Sequence, residues 1–143
     1  MPRVLIADDN VQNAELLEAY LDGTGWDTKL AANGEETLQL AREWKPDVIL
    51  LDVMMPKLSG FEVCKKLRAD AATRGIGVLM VTALDQANDI ERAIDAGTDD
   101  FMTKPIHKSE LLLRARALVE SRAEATDLDR GLDYFRRAIQ QGA

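Results

Sequence analysis

Two short apolar runs that each end in acidic residues constrain this chain more than any other feature. Residues 4–7 (Val-Leu-Ile-Ala) are followed at once by Asp8 and Asp9, and residues 48–51 (Val-Ile-Leu-Leu) are followed by Asp52. If the two runs are neighbouring parallel strands, the three carboxylates converge at the carboxyl edge of one sheet, where ligand sites of open α/β sheets form. Clustered carboxylates repel one another unless a cation lies among them, and hard oxygen ligands suit Mg²⁺ or Mn²⁺. The sequence therefore predicts a metal-assisted reaction on one of these carboxylates.

Strand and helix patterns alternate five times along the chain. Strands that are apolar on both faces, alternating with helices, predict a parallel sheet that is covered on both sides. Right-handed crossovers then give a doubly wound α/β fold, in which the first strand has to be central for the three aspartates to meet. The predicted strands are residues 3–7, 26–31, 47–51, 76–82 and 99–103; the predicted helices are residues 10–22, 34–44 and 86–96, one capped by Ser59 and one beginning near Ser109.

Composition narrows the class of protein. A chain of 143 residues fits one domain, and 46% hydrophobic residues suffice for a proper core. The net charge of -7 argues against non-specific nucleic-acid binding, which needs a basic surface, but does not exclude DNA binding by an output domain outside these residues. The single cysteine, Cys64, excludes an internal disulfide. No signal peptide is recognisable and the apolar runs are too short to span a bilayer, so we expect a soluble cytoplasmic protein without membrane contact.

Two further polar residues fall at the same predicted edge of the sheet. Thr82 ends the fourth predicted strand, and Lys104 ends the fifth, directly before Pro105. A hydroxyl and an ammonium group beside clustered carboxylates suggest binding of an oxyanion or a phosphate, with the lysine as a point charge and the threonine as a hydrogen-bond donor.

Taken together, these motifs resemble the receiver domain of two-component response regulators, of the chemotaxis-regulator-like kind. The matching stretches are Asp8-Asp9, residues 50–56 (Leu-Leu-Asp-Val-Met-Met-Pro), Ser59-Gly60-Phe61, Thr82-Ala83, residues 96–100 (Ala-Gly-Thr-Asp-Asp) and residues 101–105 (Phe-Met-Thr-Lys-Pro). The resemblance covers residues 2–122. It implies a flavodoxin-like sheet with strand order 2-1-3-4-5, a receiver domain over residues 1–123 and a helical C-terminal extension or linker over residues 124–143.

The resemblance also implies a role for each site residue. Asp52 is the expected phosphoacceptor, receiving a phosphoryl group from a sensor histidine kinase, a phosphotransfer protein or a small phosphodonor. Asp8 and Asp9 are expected to hold Mg²⁺ together with Asp52 and the backbone carbonyl of Met54. Lys104 is expected to contact Asp52 and then the phosphoryl oxygens. Such a module is not an enzyme on other substrates, because it catalyses only its own phosphorylation and dephosphorylation.

A conformational switch is the second implication of the resemblance. Thr82 is expected to turn inward to bond a phosphoryl oxygen, and Phe101 to follow it. This change would reshape the face formed by the fourth helix, fifth strand and fifth helix, which would control an output domain or partner protein, or a phosphorylation-dependent homodimer. The family further implies a cis bond between Lys104 and Pro105, since X-Pro is the one peptide bond for which cis is accessible at low cost. We expect no direct contact with nucleic acid.

The C-terminal residues carry a separate pattern. Six apolar residues follow a spacing of three or four if Ser121 is counted as a weak position of the pattern, namely Leu118, Ala125, Leu128, Leu132, Phe135 and Ile139. This spacing indicates a helix with one apolar stripe, although Gly131 in the stripe would cost about 1 kcal/mol against alanine. Two interpretations stay open: a helix that packs back on its own domain or frays, and a dimerising signalling helix or linker to an output domain.

Two other classes of protein share this fold type. A phosphatase or phosphotransferase with an aspartyl-phosphate intermediate usually has its nucleophile on the first strand and a second acid two residues later, where this chain has Asn10. A flavin-binding module would need a hydroxyl- and glycine-rich phosphate loop after the first strand, whereas this chain has Asp8, Asp9 and Asn10 there.

The lifetime of the phosphorylated state is the subject of a further prediction. Met54 lies two residues after Asp52, and Leu84 lies two residues after Thr82. In receiver-like sites these positions flank the route of the hydrolytic water. Both are apolar here and cannot orient that water, so slow autodephosphorylation is predicted.

Overall fold

Five strands and five helices alternate along the part of the chain that the structure describes. The structure, a computed structural model, describes residues 1–122 and 138–139. The strands are β1 (Arg3–Ala7), β2 (Asp27–Ala31), β3 (Val48–Leu51), β4 (Gly77–Thr82) and β5 (Asp100–Thr103). The helices are α1 (Val11–Leu21), α2 (Gly34–Glu43), α3 (Gly60–Ala69), α4 (Ala87–Ala96) and α5 (Lys108–Arg122). The predicted elements are confirmed, with ends that differ by one residue at most.

The strands form one parallel sheet in the order β2-β1-β3-β4-β5, which confirms the predicted fold class and strand order; β1 lies inside the sheet, between β2 and the central strand β3. In the β1–β3 pair, Val4 lies beside Val48 and Ala7 lies beside Leu51. This register aligns the carboxyl ends of the two strands, so the residues that follow them start from the same level of the sheet.

Both faces of the sheet are covered, as a parallel sheet requires. Alternate strand residues such as Leu5 and Ile49 pack with α2, α3 and α4 in one buried cluster. Their neighbours, such as Val4 and Leu50, pack with α1 and α5 in a second cluster. All residues of β3 and β4 are buried, whereas β2 alternates between exposed and half-buried positions as far as Ala31 because it lies at an edge.

Side-chain caps start the helices that leave the carboxyl edge of the sheet. The side chain of Asn10 accepts a bond from the N–H of Asn13, and that of Asn33 accepts one from the N–H of Glu36. Ser59 and Glu62 form a reciprocal capping box at the start of α3. Each such cap contributes about 1 kcal/mol, and together they fix where the loops that carry the acidic residues end.

The expected C-terminal extension over residues 124–143 lies outside the described residues, apart from positions 138–139. Within the described part of the chain, every helix is too short or too polar to cross a membrane.

Candidate functional site

Three aspartates meet at the carboxyl edge of the sheet, as the strand pattern predicts. Asp8 follows β1 and Asp52 follows β3, and the backbone N–H of Asp52 donates to the carbonyl oxygen of Ala7 at 2.9 Å. Carboxylate oxygens of Asp8, Asp9 and Asp52 all lie within 4.8 Å of one another. Asp8 and Asp52 are buried, at 3% and 6% exposure, whereas Asp9 is exposed. Two acids of the cluster are therefore buried and the third faces solvent.

Lys104 brings a positive charge to this cluster. Its Nζ atom lies 3.2 Å from Oδ2 of Asp8 and 3.5 Å from Oδ2 of Asp52. The residue directly follows β5, and its backbone N–H donates to the carbonyl of Thr82 at 2.8 Å, which aligns the ends of β4 and β5. The Lys104-Pro105 bond is cis, as the resemblance implied.

The two buried carboxylates have parallel sets of hydrogen-bond donors. Oδ1 of Asp8 accepts from the N–H of Asn10 at 2.9 Å, and Oδ1 of Asp52 accepts from the N–H of Met54 at 3.2 Å. In each case Oδ2 accepts from Lys104. A carboxylate has about four acceptor sites, so each side chain keeps acceptor capacity for a ligand in the cleft.

The environment of Asp52 raises the pKa of its carboxyl group. Burial is the largest cause, since it penalises the charged form, and the nearby Asp8 acts in the same direction. Lys104 and the N–H of Met54 lower the pKa but do not cancel the effect of burial. The ionised cluster thus stores an electrostatic cost that a bound cation would relieve.

The donor set fits a hard divalent cation. One oxygen from each of Asp8, Asp9 and Asp52 lies close enough to share an ion, and oxygen ligands of this kind suit Mg²⁺ and Mn²⁺. The exposed position of Asp9 opens the cluster towards solvent, which allows an ion to keep some of its water ligands. The backbone carbonyl of Met54 stays a predicted fourth ligand.

Thr82 and Phe101 lie close to this edge but are held in different ways. Thr82 ends β4, is fully buried, and its hydroxyl oxygen accepts from the N–H of Leu84 at 3.4 Å. Phe101 lies on β5 beside Met80 and packs, partly buried, on the core cluster that faces α2, α3 and α4. The structure therefore places Thr82 at the carboxyl end of β4, the strand beside β3, and Phe101 on the next strand, β5.

Sequence patterns gave no separate role to Gly60, which appeared only within the Ser59-Gly60-Phe61 match. In the structure Gly60 begins α3 and touches the backbone of Asp52 and Val53. A glycine directly after a helix cap is a weak signal in a sequence. It indicates that the backbone there approaches another group closely, but the sequence does not show which group.

A doubly wound parallel domain with three acids and one lysine at the carboxyl edge of its sheet is the architecture of a phosphorelay signalling module. Residues 4–116 match the family described as response regulator receiver domain, and the chain belongs to that family.

Relatives with curated descriptions are response regulators. The chain is 44% identical over 119 residues to the DNA-binding dual master transcriptional regulator RpaA of Synechocystis, a match that covers 83% of this chain and 49% of that protein. It is 44% identical over 116 residues to the response regulator PleD of Caulobacter vibrioides, covering 81% of this chain and 26% of that one. The chain thus spans half or less of the length of these relatives.

Solved structures with the same fold are also receiver domains. One from a signal transduction histidine kinase of Syntrophus aciditrophicus has a TM-score of 0.81 at 31% identity, covering 89% of this chain and 96% of that one. The receiver domain of a sensor histidine kinase from Pseudomonas aeruginosa has a TM-score of 0.77 at 28% identity, covering 83% and 98% of the two chains, and was solved with a magnesium ion coordinated in its active-site cleft.

Proposed function

We propose that this chain is a phosphorylation-dependent signalling switch in which Asp52 accepts a phosphoryl group. The observation that carries the proposal is the pairing of Asp52 with Lys104 inside a cluster of acids at the end of β3. A sensor histidine kinase or a phosphotransfer protein would be the donor. A carboxylate oxygen of Asp52 would attack phosphorus, the bond from phosphorus to the donor imidazole would break, and the imidazole would leave with that electron pair.

Distances favour Asp52 over Asp8 as the nucleophile. The bonds to the oxygens of Asp8 measure 2.9 and 3.2 Å, whereas the equivalent bonds to Asp52 measure 3.2 and 3.5 Å. Weaker hydrogen bonds leave more electron density on the oxygens of Asp52. Asp9 is exposed, unlike the buried Asp8 and Asp52. The position of Asp52 in the matching stretch of residues 50–56 supports the same choice.

The remaining acids would hold the ion that the reaction needs. Asp8 and Asp9 would bind Mg²⁺, or Mn²⁺, with Asp52 and the carbonyl of Met54 completing the protein ligands. The ion would offset the negative charge of the incoming phosphoryl group. The magnesium ion in the Pseudomonas aeruginosa neighbour supports this assignment.

Lys104 and Thr82 would bind the transferred group. Lys104 already lies between two carboxylates, so a small movement of its flexible side chain would bring the ammonium group to a phosphoryl oxygen. The bond from Leu84 uses the Thr82 oxygen as an acceptor, and the hydroxyl proton would be donated to a phosphoryl oxygen. Phosphoryl transfer depends mainly on this kind of alignment and charge neutralisation.

Phosphorylation would be transmitted by rearrangement at β4 and β5. As Thr82 turns towards the phosphoryl group, the space it leaves would admit Phe101, which is only partly buried in this structure. The exposed apolar residues Ile90 and Ile94 of α4 lie on the face that this change would alter. That face would contact an output domain, a partner protein or a second phosphorylated copy.

The relatives suggest how the signal would be used. RpaA and the Mycobacterium tuberculosis regulator MtrA are DNA-binding by name, and the chain covers 49% of each. For a longer protein of that kind, we propose that these acidic residues regulate an output domain without touching nucleic acid themselves. A cytoplasmic location would suit such a role.

A phosphatase acting on other substrates is the less favoured alternative. In such enzymes an acid two residues after the nucleophile protonates the leaving group, whereas Asn10 occupies that position after Asp8 and contributes its backbone N–H to Asp8. Turnover of generic phosphoesters is therefore not expected.

Phosphorus NMR tests the proposed chemistry. After incubation with acetyl phosphate and Mg²⁺, the purified protein should give an acyl-phosphate resonance that hydroxylamine removes and that EDTA prevents from forming. A phosphoryl signal that resists hydroxylamine, or one that forms equally well in EDTA, would contradict an aspartyl phosphate made with a divalent ion.

A further inference from the structure

The first residue of α3 rests directly on the peptide backbone of the proposed phosphoacceptor. A Cβ atom at Gly60 would lie 2.4 Å from the carbonyl oxygen of Asp52, 2.7 Å from the Cα of Val53 and 3.0 Å from the carbonyl carbon of Asp52. Real Cβ atoms are essentially never found that close to another heavy atom. Only glycine allows this approach of the helix to the Asp52–Val53 peptide.

The close contact at Gly60 can be compared with the surroundings of two other glycines, Gly34 and Gly77. At Gly34 an added Cβ would meet the Cβ of Leu58 at 2.6 Å and a methyl group of Val63 at 2.9 Å, and the nearest backbone atom, the carbonyl oxygen of Leu58, lies 3.2 Å away. At Gly77 the nearest atoms would be 3.4 Å from an added Cβ, which is an ordinary van der Waals contact. At Gly60 the opposing atoms belong to the backbone, so an added methyl group has to displace either α3 or the peptide that carries Asp52.

The loop between Asp52 and Gly60 is closed by a compact set of backbone bonds. The carbonyl oxygen of Val53 accepts from the N–H of Met55 at 3.0 Å and from the N–H of Gly60 at 2.9 Å. Lys57 has a φ of 69°, in the left-handed region that non-glycine residues seldom adopt. A residue persists there only when its surroundings over-determine it. The loop therefore has little freedom to absorb a displacement at Gly60.

The same peptide also controls the immediate partners of Asp52. The N–H of Met54, two residues along, donates to Oδ1 of Asp52 at 3.2 Å. The direction of the Asp52 side chain and the position of that N–H both depend on the Asp52–Val53 peptide. A shift at Gly60 would thus move the nucleophile and its hydrogen-bond donor together.

We propose that Gly60 is a positioning residue for phosphoryl transfer: by lacking a Cβ, it lets the start of α3 fix the backbone that aims the Asp52 carboxylate at the cation and the phosphoryl group. This inference rests on the proposed role of Asp52. It adds α3 to the elements that build the site, through its backbone at Gly60.

The test compares Gly60→Ala with Gly77→Ala, a matched change at a buried glycine at the opposite, amino end of β4. Mg²⁺ affinity is measured by calorimetry, and phosphorylation by acetyl phosphate is measured across donor concentrations. For Gly60→Ala we expect Mg²⁺ affinity to fall about tenfold and the maximal phosphorylation rate to fall by about 10²-fold, the scale expected for a misplacement of about 1 Å. Gly77→Ala should stay within about twofold of the unmodified protein in both measurements, since its contacts are of ordinary length.

A folded Gly60→Ala variant with the Mg²⁺ affinity and maximal rate of the unmodified protein would overturn the proposal. A fall in rate caused only by weaker binding of the phosphodonor would overturn it too. If the unmodified protein itself accepts no phosphoryl group, the proposed function fails, while the comparison of Mg²⁺ affinities still decides the positioning role.

A measurement on the unmodified protein covers the case in which Gly60→Ala does not fold. In an amide NMR titration with Mg²⁺, the Gly60 resonance should shift with the same midpoint as that of Met54, and the Gly77 resonance should stay in place. A Gly60 resonance that does not move while that of Met54 does would show that the helix start is independent of the site, which contradicts the proposal.

Discussion

The Nζ atom of Lys104 lies 3.2 Å from Oδ2 of Asp8, although 96 positions separate the two residues in the sequence. The ammonium group is slightly nearer to Asp8 than to Asp52, at 3.5 Å. Lys104 is therefore shared between the proposed metal ligand and the proposed nucleophile. In the proposed reaction, this sharing would let one ammonium group stabilise the acidic cluster first and bind the phosphoryl group afterwards.

Replacing Lys104 with methionine should destabilise the metal-free protein. Two buried carboxylates would lose their cation, a loss that costs about 3–5 kcal/mol for fully buried pairs. Because Lys104 is 24% exposed, we expect about 1–3 kcal/mol. Urea denaturation in EDTA measures the loss, and saturating Mg²⁺ should reduce the difference.

Lys65→Met is the matched control, since Lys65 is exposed on α3. It should change the free energy of unfolding by less than about 0.5 kcal/mol. Equal unfolding free energies for Lys104→Met and the unmodified protein would show that the ammonium group does not stabilise the cluster.

Asp52→Asn should stabilise the metal-free protein at neutral pH. The pKa of Asp52 is raised in the folded state, chiefly by burial. Ionisation of the carboxyl group therefore opposes folding at every pH above the folded pKa, and this cost disappears below the lower, unfolded pKa. In EDTA, the free energy of unfolding of Asp52→Asn should thus exceed that of the unmodified protein at neutral pH. This difference should shrink as the pH falls through the folded pKa and then the unfolded pKa of Asp52.

Asp70→Asn is a control variant for which the opposite change in the free energy of unfolding is expected at neutral pH. The pKa of Asp70 is lowered, first by the N–H of Ala72 and then by Arg42. Its ionised form favours folding above the unfolded pKa, so the variant should be the less stable protein at neutral pH. An Asp52→Asn protein whose stability falls in parallel with that of Asp70→Asn would contradict the electrostatic account of the site.

The Cys64 thiol should not react in the folded protein. Its side chain is fully buried on α3, and burial raises the pKa of the thiol to about 11. Alkylation needs an accessible thiolate. Mass spectrometry after iodoacetamide treatment at pH 8 should show no adduct in the folded protein and one adduct in denaturant. Rapid native labelling would show that the core around α3 opens readily.

Slow autodephosphorylation is expected from the side chains beside the site. Met54 is apolar and 59% exposed, and Leu84 is apolar and partly buried. Neither can orient a hydrolytic water, whereas a positioned polar group contributes about 10²–10⁴ in rate when it acts as a general base. We expect Met54→Asn to speed loss of the phosphoryl group by about tenfold, which is less than the full effect of a general base.

Decay of the phosphorylated protein after removal of the donor measures this effect, with Val11→Asn as a control at an exposed position on α1. The prediction would be refuted if the unmodified protein lost its phosphoryl group rapidly and polar residues at positions 54 and 84 did not change that rate.

Sequence patterns predicted the sheet and the meeting of the acids because both depend on local rules. The apolar runs of β1 and β3 ended at Asp8 and Asp52, and parallel pairing then had to bring those ends together. The strand β2 was also predicted correctly. Its apolar pattern is weaker because it lies at the edge of the sheet, where its residues are exposed or half-buried as far as Ala31.

The finer geometry of the site depends on contacts that no local pattern encodes. The closer approach of Lys104 to Asp8 joins two residues that lie 96 positions apart in the sequence. The contact of Gly60 with the Asp52–Val53 peptide depends on where the start of α3 lies in the folded chain. The raised pKa of Asp52 likewise reflects burial by the whole fold.

Intact mass after incubation with acetyl phosphate and Mg²⁺ shows whether Asp52 accepts a phosphoryl group, with Asp52→Asn and Asp9→Asn measured beside the unmodified protein. The account predicts the gain of one phosphoryl group by the unmodified protein, no gain by Asp52→Asn, and a slower gain by Asp9→Asn that higher Mg²⁺ concentrations restore. An equal gain by Asp52→Asn, or no gain by the unmodified protein from either acetyl phosphate or a phosphorylated histidine kinase, would contradict the assignment of Asp52 as phosphoacceptor.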